Sequence, residues 1–256
     1  MNVNKIFVKT ESKTYPVFIG KDFLNNIDDI IKKNNLKFKK CIIIFDKNIP
    51  KKYINLLKFK IKNKDKVIFQ FNSSEKNKNF KTVISILEKL FKNNFSRGDL
   101  LIAIGGGIVG DVSGFAANIY KRGLKFINIP STLLAQVDSS IGGKTGINNK
   151  FGKNLIGTFY QPDLVLSDIS LLKSLSKREI ICGYGEILKH SLITKKSVFK
   201  FLKKNQKKIL NVESPFIEKA IIESCKVKKY IVQKDEKEKG LRKLLNLGHT
   251  FAHAFE

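Results

Sequence analysis

Three histidines occur in 256 residues, and two of them, His249 and His253, stand four apart in the closing segment LGHTFAHAFE. That spacing puts two side chains on one face of a helix. Upstream, Glu186, Lys189 and His190 in GYGEILKH sit at i, i+3 and i+4 and share a helical face in the same way. A carboxylate from one helix and an imidazole from another suit zinc, whose catalytic sites combine three protein ligands with one open position. A histidine pair with this spacing serves equally as a hydrogen-bonded packing pair, and the residues alone leave both readings open.

A second set of residues suits phosphate chemistry. Gly105, Gly106 and Gly107 end the apolar run LLIAIGGG and precede IVGDVSGFAANIY, where Ile108, Val109, Val112, Phe115, Ala116 and Ile119 make an apolar helical face. Glycines at a strand-to-helix junction let the backbone turn sharply, and the first N–H groups of the helix face a diphosphate. A purely structural tight turn has the same composition. The usual dinucleotide fingerprint places its acidic ribose partner about 20 residues after the glycines. Here the acid comes first: Asp46 ends the apolar run CIIIFD, as a ribose partner supplied in reversed order or as a simple helix cap.

Between them and the histidines, STLLAQVDSSIGGKTGINNKFGKN carries Asp138, Lys144, Lys153 and Asn154 among glycines. Ammonium groups for a phosphate or carboxylate, with a carboxylate and amides for hydroxyls, describe a loop-borne site for a polyhydroxy anion. A glycine-rich surface loop with solvated lysines is the alternative.

These groups need elements to position them. Short apolar runs at 3–9, 14–19, 41–46, 66–71, 100–107, 125–130 and 162–168 read as strands, and 22–34, 79–93 and 108–121 have helical spacing. Near-continuous apolar strands alternating with amphipathic helices imply a parallel sheet covered on both faces. From about residue 177 only helical periodicity remains, in KREIICGYGEILKHSLI, SPFIEKAIIESCKVKKYIVQKDEKE and RKLLNLGHTFAHAFE. Ser214 reads as the cap of the second of these, with Pro215 as its first helical residue. The expected fold is α/β: a Rossmann-like parallel-sheet domain over 1–172, then an all-helical metal- and substrate-binding domain over 173–256.

The net charge of +27 raises a nucleic-acid reading. The lysines are scattered, however, and arginine, which makes the bidentate contacts, occurs only at Arg97, Arg122, Arg178 and Arg242. With no recognisable nucleic-acid-binding motif, the field favours a small anionic substrate, and no specific nucleic-acid partner is expected. Cys41, Cys182 and Cys225 are widely spaced and form no metal pattern, and no run has the length of a signal peptide or membrane span. A cytoplasmic protein with reduced cysteines, away from membranes, is expected.

AIGGGIVGDVSGFAANIYKRG, IPSTLLAQVDSSIGGKTGIN, GYGEILKH and DEKEKGLRKLLNLGHTFAHAFE, in this order, resemble 3-dehydroquinate synthases. The resemblance runs from near Asp46 to Glu256. It implies an NAD-binding α/β domain, a helical domain holding zinc or cobalt, and a substrate cleft between them. It assigns Asp46, Asn48, Glu75, Lys78, Gly105, Gly106, Gly107, Asp111, Ser131 and Thr132 to the cofactor. Ser74 stands where the family usually has glycine. To the substrate it assigns Asp138, Lys144, Lys153, Asn154, Lys189, Lys228, Arg242 and Asn246. Arg122 is implied to reach the substrate phosphate of the neighbouring subunit of a homodimer. His253 falls at a proton-handling position, with Lys144 and Glu238 beside the chemistry. Glu186 and His249 match two metal ligands. The third, a histidine of a later HGE element, would lie beyond Glu256, so a chain ending there is expected to be a poor catalyst; His190 matches no ligand position. Sibling sugar-phosphate cyclases, and more distantly the glycerol dehydrogenase type of alcohol dehydrogenase, share the implied architecture.

Overall fold

β-branched and aromatic residues dominate the runs that become strands. In the computed structural model, which describes residues 4–62, 64–194 and 196–248, they assemble into one large sheet and one hairpin. The chain opens with β1 (Asn4–Lys9) and β2 (Thr14–Gly20), followed by α1 (Ile27–Lys33), β3 (Lys40–Asp46), α2 (Lys51–Lys60), β4 (Asp65–Phe71) and α3 (Phe80–Lys92). Then come β5 (Leu100–Gly105), α4 (Gly107–Ile119), β6 (Lys125–Pro130), α5 (Leu133–Val137), the hairpin β7 (Lys144–Asn149) and β8 (Gly152–Phe159), and β9 (Leu164–Asp168). The remainder is helical: α6 (Lys177–Leu192), α7 (Lys196–Leu210) and α8 (Phe216–Lys234), with a 3-10 turn at Leu241–Asn246.

The sheet order is β1-β2-β9-β6-β5-β3-β4, and every pairing is parallel except β1 with β2. β3 shows why the runs are apolar without alternation. Cys41, Ile43 and Phe45 face a core shared with α1 and α2, whereas Ile42 and Ile44 face one shared with α3 and α4. Both faces are buried, and each such isoleucine contributes about 1.5–3 kcal/mol on removal from water. A third core joins β2 and β9 to α5, α6, α7 and α8, so the helical half packs on the β1–β2 flank of the sheet.

Several local expectations change. The run 22–34 splits into a 3-10 turn at Phe23–Asn26 and a short α1, with Asp22 left-handed at the start. The stretch 131–154 is α5 and most of a hairpin rather than a loop. α2 and α7, which bury only Ile54 and Leu57, and Leu202 and Ile209, are additional helices. At the start of α8, Pro215 is the cap and Phe216 the first helical residue, while Ser214 donates to Glu218 Oε1 instead of capping. The segment from Arg242 to Asn246 is 3-10 rather than α-helical, and residues 249–256 lie outside the described residues.

Candidate active site

In a parallel sheet, side chains and loops at the carboxyl ends of the strands surround the crevice where the strand order reverses. Here β3 leads to its outer neighbour β4, and the chain then crosses to β5 on the other side of β3. Asp46 ends β3 and Gly105 ends β5, so the acid and the glycines flank the reversal, which accounts for their inverted order along the chain. Pro130 pairs with Gly105 in register, bringing Ser131 and Thr132 alongside, and Ser131 N donates to Gly105 O at 2.8 Å.

No side chain caps the first turn of α4. A Cβ on Gly105 would lie 2.3 Å from Val109 Cγ2, and one on Gly107 would lie 3.1 Å from Ser139 Oγ. The glycines therefore serve close strand–helix packing and leave backbone N–H groups, uncovered by side chains, at the crevice. This chemistry fits a diphosphate-bearing cofactor. Asp46 itself is buried and occupied: Oδ1 accepts from Asn48 N at 2.7 Å, and Oδ2 accepts from the backbone and hydroxyl of Ser73. It braces the loops after β3 and β4, with Asn48 exposed beside it.

Glu75 and Lys78, expected on the cofactor, contact the hairpin and α4 in the structure. Glu75 Oε2 accepts from Asn148 Nδ2 at 2.7 Å, and the buried Lys78 ammonium donates to Asp111 Oδ2 and Asn154 Oδ1. Burial pushes the Asp111 carboxyl up to about 6, against the opposing pull of Lys78. About a fifth of that side chain, 21 %, still faces the cavity.

The cavity, about 560 Å³, lies between the hairpin, α4 and the helices. It brings together Asp138, Lys144, Asn154, Lys189, Lys228, Glu238, Arg242 and Asn246, all anticipated, and Ser139, Thr145 and Thr158, which were not. The last two hydroxyls pair at 2.9 Å across the hairpin and give no signal of their role in the sequence. Lys153 is exposed on β8 outside the lining, and Arg122 is exposed in a left-handed turn with Lys121. His249 and His253 fall outside the described residues.

Each cation is held by an acceptor. Lys144 pairs with Glu238, Lys228 with Asp138, and Lys189 with Glu186 Oε2 at 2.8 Å and Leu245 O at 2.6 Å. Burial opposes ionisation of Asp138, but Lys228 outweighs it and brings the carboxyl down to about 2. Glu238 is likewise held below its usual range, because Lys144 overrides desolvation. Arg242, only 2 % exposed, donates Nη1 to Glu236 O and Nη2 to Gly142 O at 3.1 Å. Gly142 is fixed in turn by its N–H on Tyr15 Oη at 3.0 Å, a contribution of β2 that nothing in TYPVFIG announces.

Asp138, Glu186 and His190 each present a potential ligand atom, all within 4.8 Å of one another. Glu186 Oε1 and His190 Nε2 are buried and face each other at 3.1 Å, neither with an aligned hydrogen-bond partner. A carboxylate pair with an imidazole suits zinc or cobalt, so the donor chemistry fits a divalent ion at Glu186.

Two family models cover most of the chain: 3-dehydroquinate synthase N-terminal over residues 68–182 and 3-dehydroquinate synthase C-terminal over 183–256. A 3-dehydroquinate synthase of Pelagibacter ubique is 58% identical over all of this chain and 70% of its own length. That of Dictyoglomus thermophilum is 45% identical over 99% of this chain and 70% of its own. Among solved structures, a 2-deoxy-scyllo-inosose synthase complexed with carbaglucose-6-phosphate, NAD+ and Co2+ is similar, with TM-score 0.89 and 27% identity over 98% of this chain and 68% of that one. So is a 2-epi-5-epi-valiolone synthase from Streptomyces hygroscopicus with NAD+ and Zn2+, with TM-score 0.86 and 25% identity over 97% and 69%. An iron-containing alcohol dehydrogenase of Thermotoga maritima, at 18% identity and TM-score 0.67, shares the fold.

Proposed function

The chain belongs to the 3-dehydroquinate synthase family, and we propose that it converts 3-deoxy-D-arabino-heptulosonate 7-phosphate to 3-dehydroquinate and phosphate. The reaction runs through transient oxidation at C5, loss of the C6 proton and the C7 phosphate, return of hydride to C5, ring opening and intramolecular aldol closure. The observation that carries this reading is the convergence of Lys144, Lys189, Lys228 and Arg242 with Asp138, Asn154, Glu238 and Asn246 on one cavity beside the glycine crevice. When bound, NAD supplies the hydride acceptor and a divalent ion, zinc or cobalt, polarises the C5 oxygen.

The glycine crevice orients the diphosphate of the cofactor, and Glu186 with His249 would hold the ion. Lys144, Lys228 and Arg242 neutralise the substrate carboxylate and phosphate, Arg242 exchanging neutral carbonyl acceptors for charge-assisted contacts. Asp138 and Asn154 accept from and donate to hydroxyls. The leaving phosphate takes the adjacent C6 proton, which limits the demand on the protein to positioning, and His253 is the residue proposed for the remaining proton transfer. Arg122, exposed in its turn, would reach the phosphate in a second protomer of a homodimer; sedimentation tests that assembly.

The full-length, zinc-loaded protein, third metal-ligand histidine included, is expected to release phosphate from the heptulosonate phosphate with no net accumulation of NADH. Absence of phosphate release under those conditions refutes the assignment. A second reading, a sibling cyclase acting on a sugar phosphate without a carboxylate, is favoured by the likeness to the 2-deoxy-scyllo-inosose synthase. Competition between carboxylated and uncarboxylated substrates separates the two, and Lys144 and Arg242 in the cavity favour the former.

A further inference from the structure

His190 belongs to no ligand position of the family motif, yet it is 1 % exposed and held on both sides. Its Nδ1 lies 2.6 Å from Ser224 Oγ of α8, and its Nε2 lies 3.1 Å from Glu186 Oε1, one turn earlier on α6. The two ring nitrogens are not equivalent here. If Nδ1 carried the proton, the Nε2 lone pair would face a carboxylate oxygen in a buried setting, with like charge density at close range. The arrangement in which the Ser224 hydroxyl donates to Nδ1 puts the proton on Nε2, beside Glu186 Oε1 in a close contact that falls short of hydrogen-bond alignment. The same carboxylate receives Lys189 on Oε2 at 2.8 Å, so its two oxygens are held from opposite sides.

Neither of these two side chains, Glu186 or His190, lines the cavity, but Glu186 keeps 12 % of its side chain exposed against 1 % for His190. An ion ligated by its buried Nε2 would be closed off from substrate, whereas a catalytic ion keeps a position open. We infer that His190 is a positioning residue for the metal-binding carboxylate: anchored by Ser224, it fixes the rotamer of Glu186 so that Glu186, and not His190, meets the ion. The inference rests on the metal-dependent reading above. Partners of this kind around a metal ligand typically contribute about 10–100-fold in metal affinity.

The test is zinc affinity of the full chain by chelator competition, with thermal unfolding and NAD affinity measured alongside. His190→Phe is expected to bind zinc about 10–100-fold more weakly than the parent. His190→Gln, which keeps an N–H donor near the Nε2 position, is expected to recover most of that loss. Ser224→Ala retains the ring but frees it, and is expected to fall between the parent and His190→Phe, which covers the case in which His190→Phe does not fold. The nitrogen count seen by X-ray absorption of zinc-loaded His190→Gln should equal that of the parent. Unchanged zinc affinity in folded His190→Phe and in Ser224→Ala overturns the inference, as does loss of one nitrogen donor in His190→Gln, which would make His190 a ligand. If Glu186→Ala binds zinc as tightly as the parent, the metal reading itself fails, an outcome distinct from the first two.

Discussion

Asp111 and Asp138 share one cavity and are displaced in opposite directions. Burial dominates at Asp111 and lifts its carboxyl to about 6, whereas at Asp138 the contact with Lys228 outweighs burial and lowers it to about 2. The signs follow by linkage. The raised folded value of Asp111 contributes stability that is complete below the ordinary carboxylate range and is lost as pH rises through about 6. The lowered value of Asp138 contributes stability present at neutral pH and lost as pH falls through about 2. Carboxylate NMR titration is expected to find Asp111 ionising near 6, and Lys78→Gln should move that midpoint upward, since Lys78 is the group that lowers it. Removing the acid of the other pair, Asp138→Asn, leaves Lys228 buried without its counter-charge; because Asp138 is a third exposed, urea denaturation should show a loss of about 2 kcal/mol, below that for a fully buried pair. At this scale the sequence was informative only where residues cluster. Lys228 meets Asp138 from 90 positions away, and no spacing rule brings such a pair together; four long motifs resembling a family did.

Elements were legible where burial is two-sided or strongly periodic, as in β3, β5 and α6, whose start carries a capping box between Ser176 and Glu179. Ser176→Ala removes one of its orphan-donor partners and is expected to lower stability by about 1 kcal/mol in thermal or urea unfolding. The hairpin β7–β8 escaped because its sequence reads as a loop. Gly146 faces Gly157 in register, and a Cβ on Gly157 would lie 2.2 Å from Thr145 O, so the strands approach with glycines where β-branched residues would advertise a strand. α4 uses the same device against the hairpin: a Cβ on Gly114 would lie 2.5 Å from Thr145 Cγ2. Gly142, at φ 100, is the tightest point for function, because a Cβ there would lie 2.4 Å from Arg242 Nη2 and 2.8 Å from Val232 Cγ2. Gly142→Ala combines left-handed strain with overpacking and is expected to cost about 2–4 kcal/mol by urea denaturation, with KM for the anionic substrate rising as Arg242 is displaced.

Across the whole molecule the +27 charge is carried mostly by lysines outside the cavity. Any binding of nucleic acid is expected to be indifferent to sequence and to weaken steeply with salt, which filter binding of unrelated duplexes between low and physiological ionic strength would show. Tight binding of one sequence at physiological salt would contradict it. No described helix is long and apolar enough to cross a membrane. The hairpin, finally, is held at both ends: Glu75 and Lys78 grip Asn148 and Asn154 near its turn, while Lys144 at its base pairs with Glu238 of the helical half. Asn154 and Lys144, toward its two ends, both line the cavity, and the paired strands join them. Occupancy at one end is expected to bias the other, and thermodynamic reciprocity makes the effect mutual. The factor by which NAD tightens a nonreactive heptulosonate analogue must equal the factor by which the analogue tightens NAD, and Asn154→Ala, which unfastens one end, should draw both factors toward unity together.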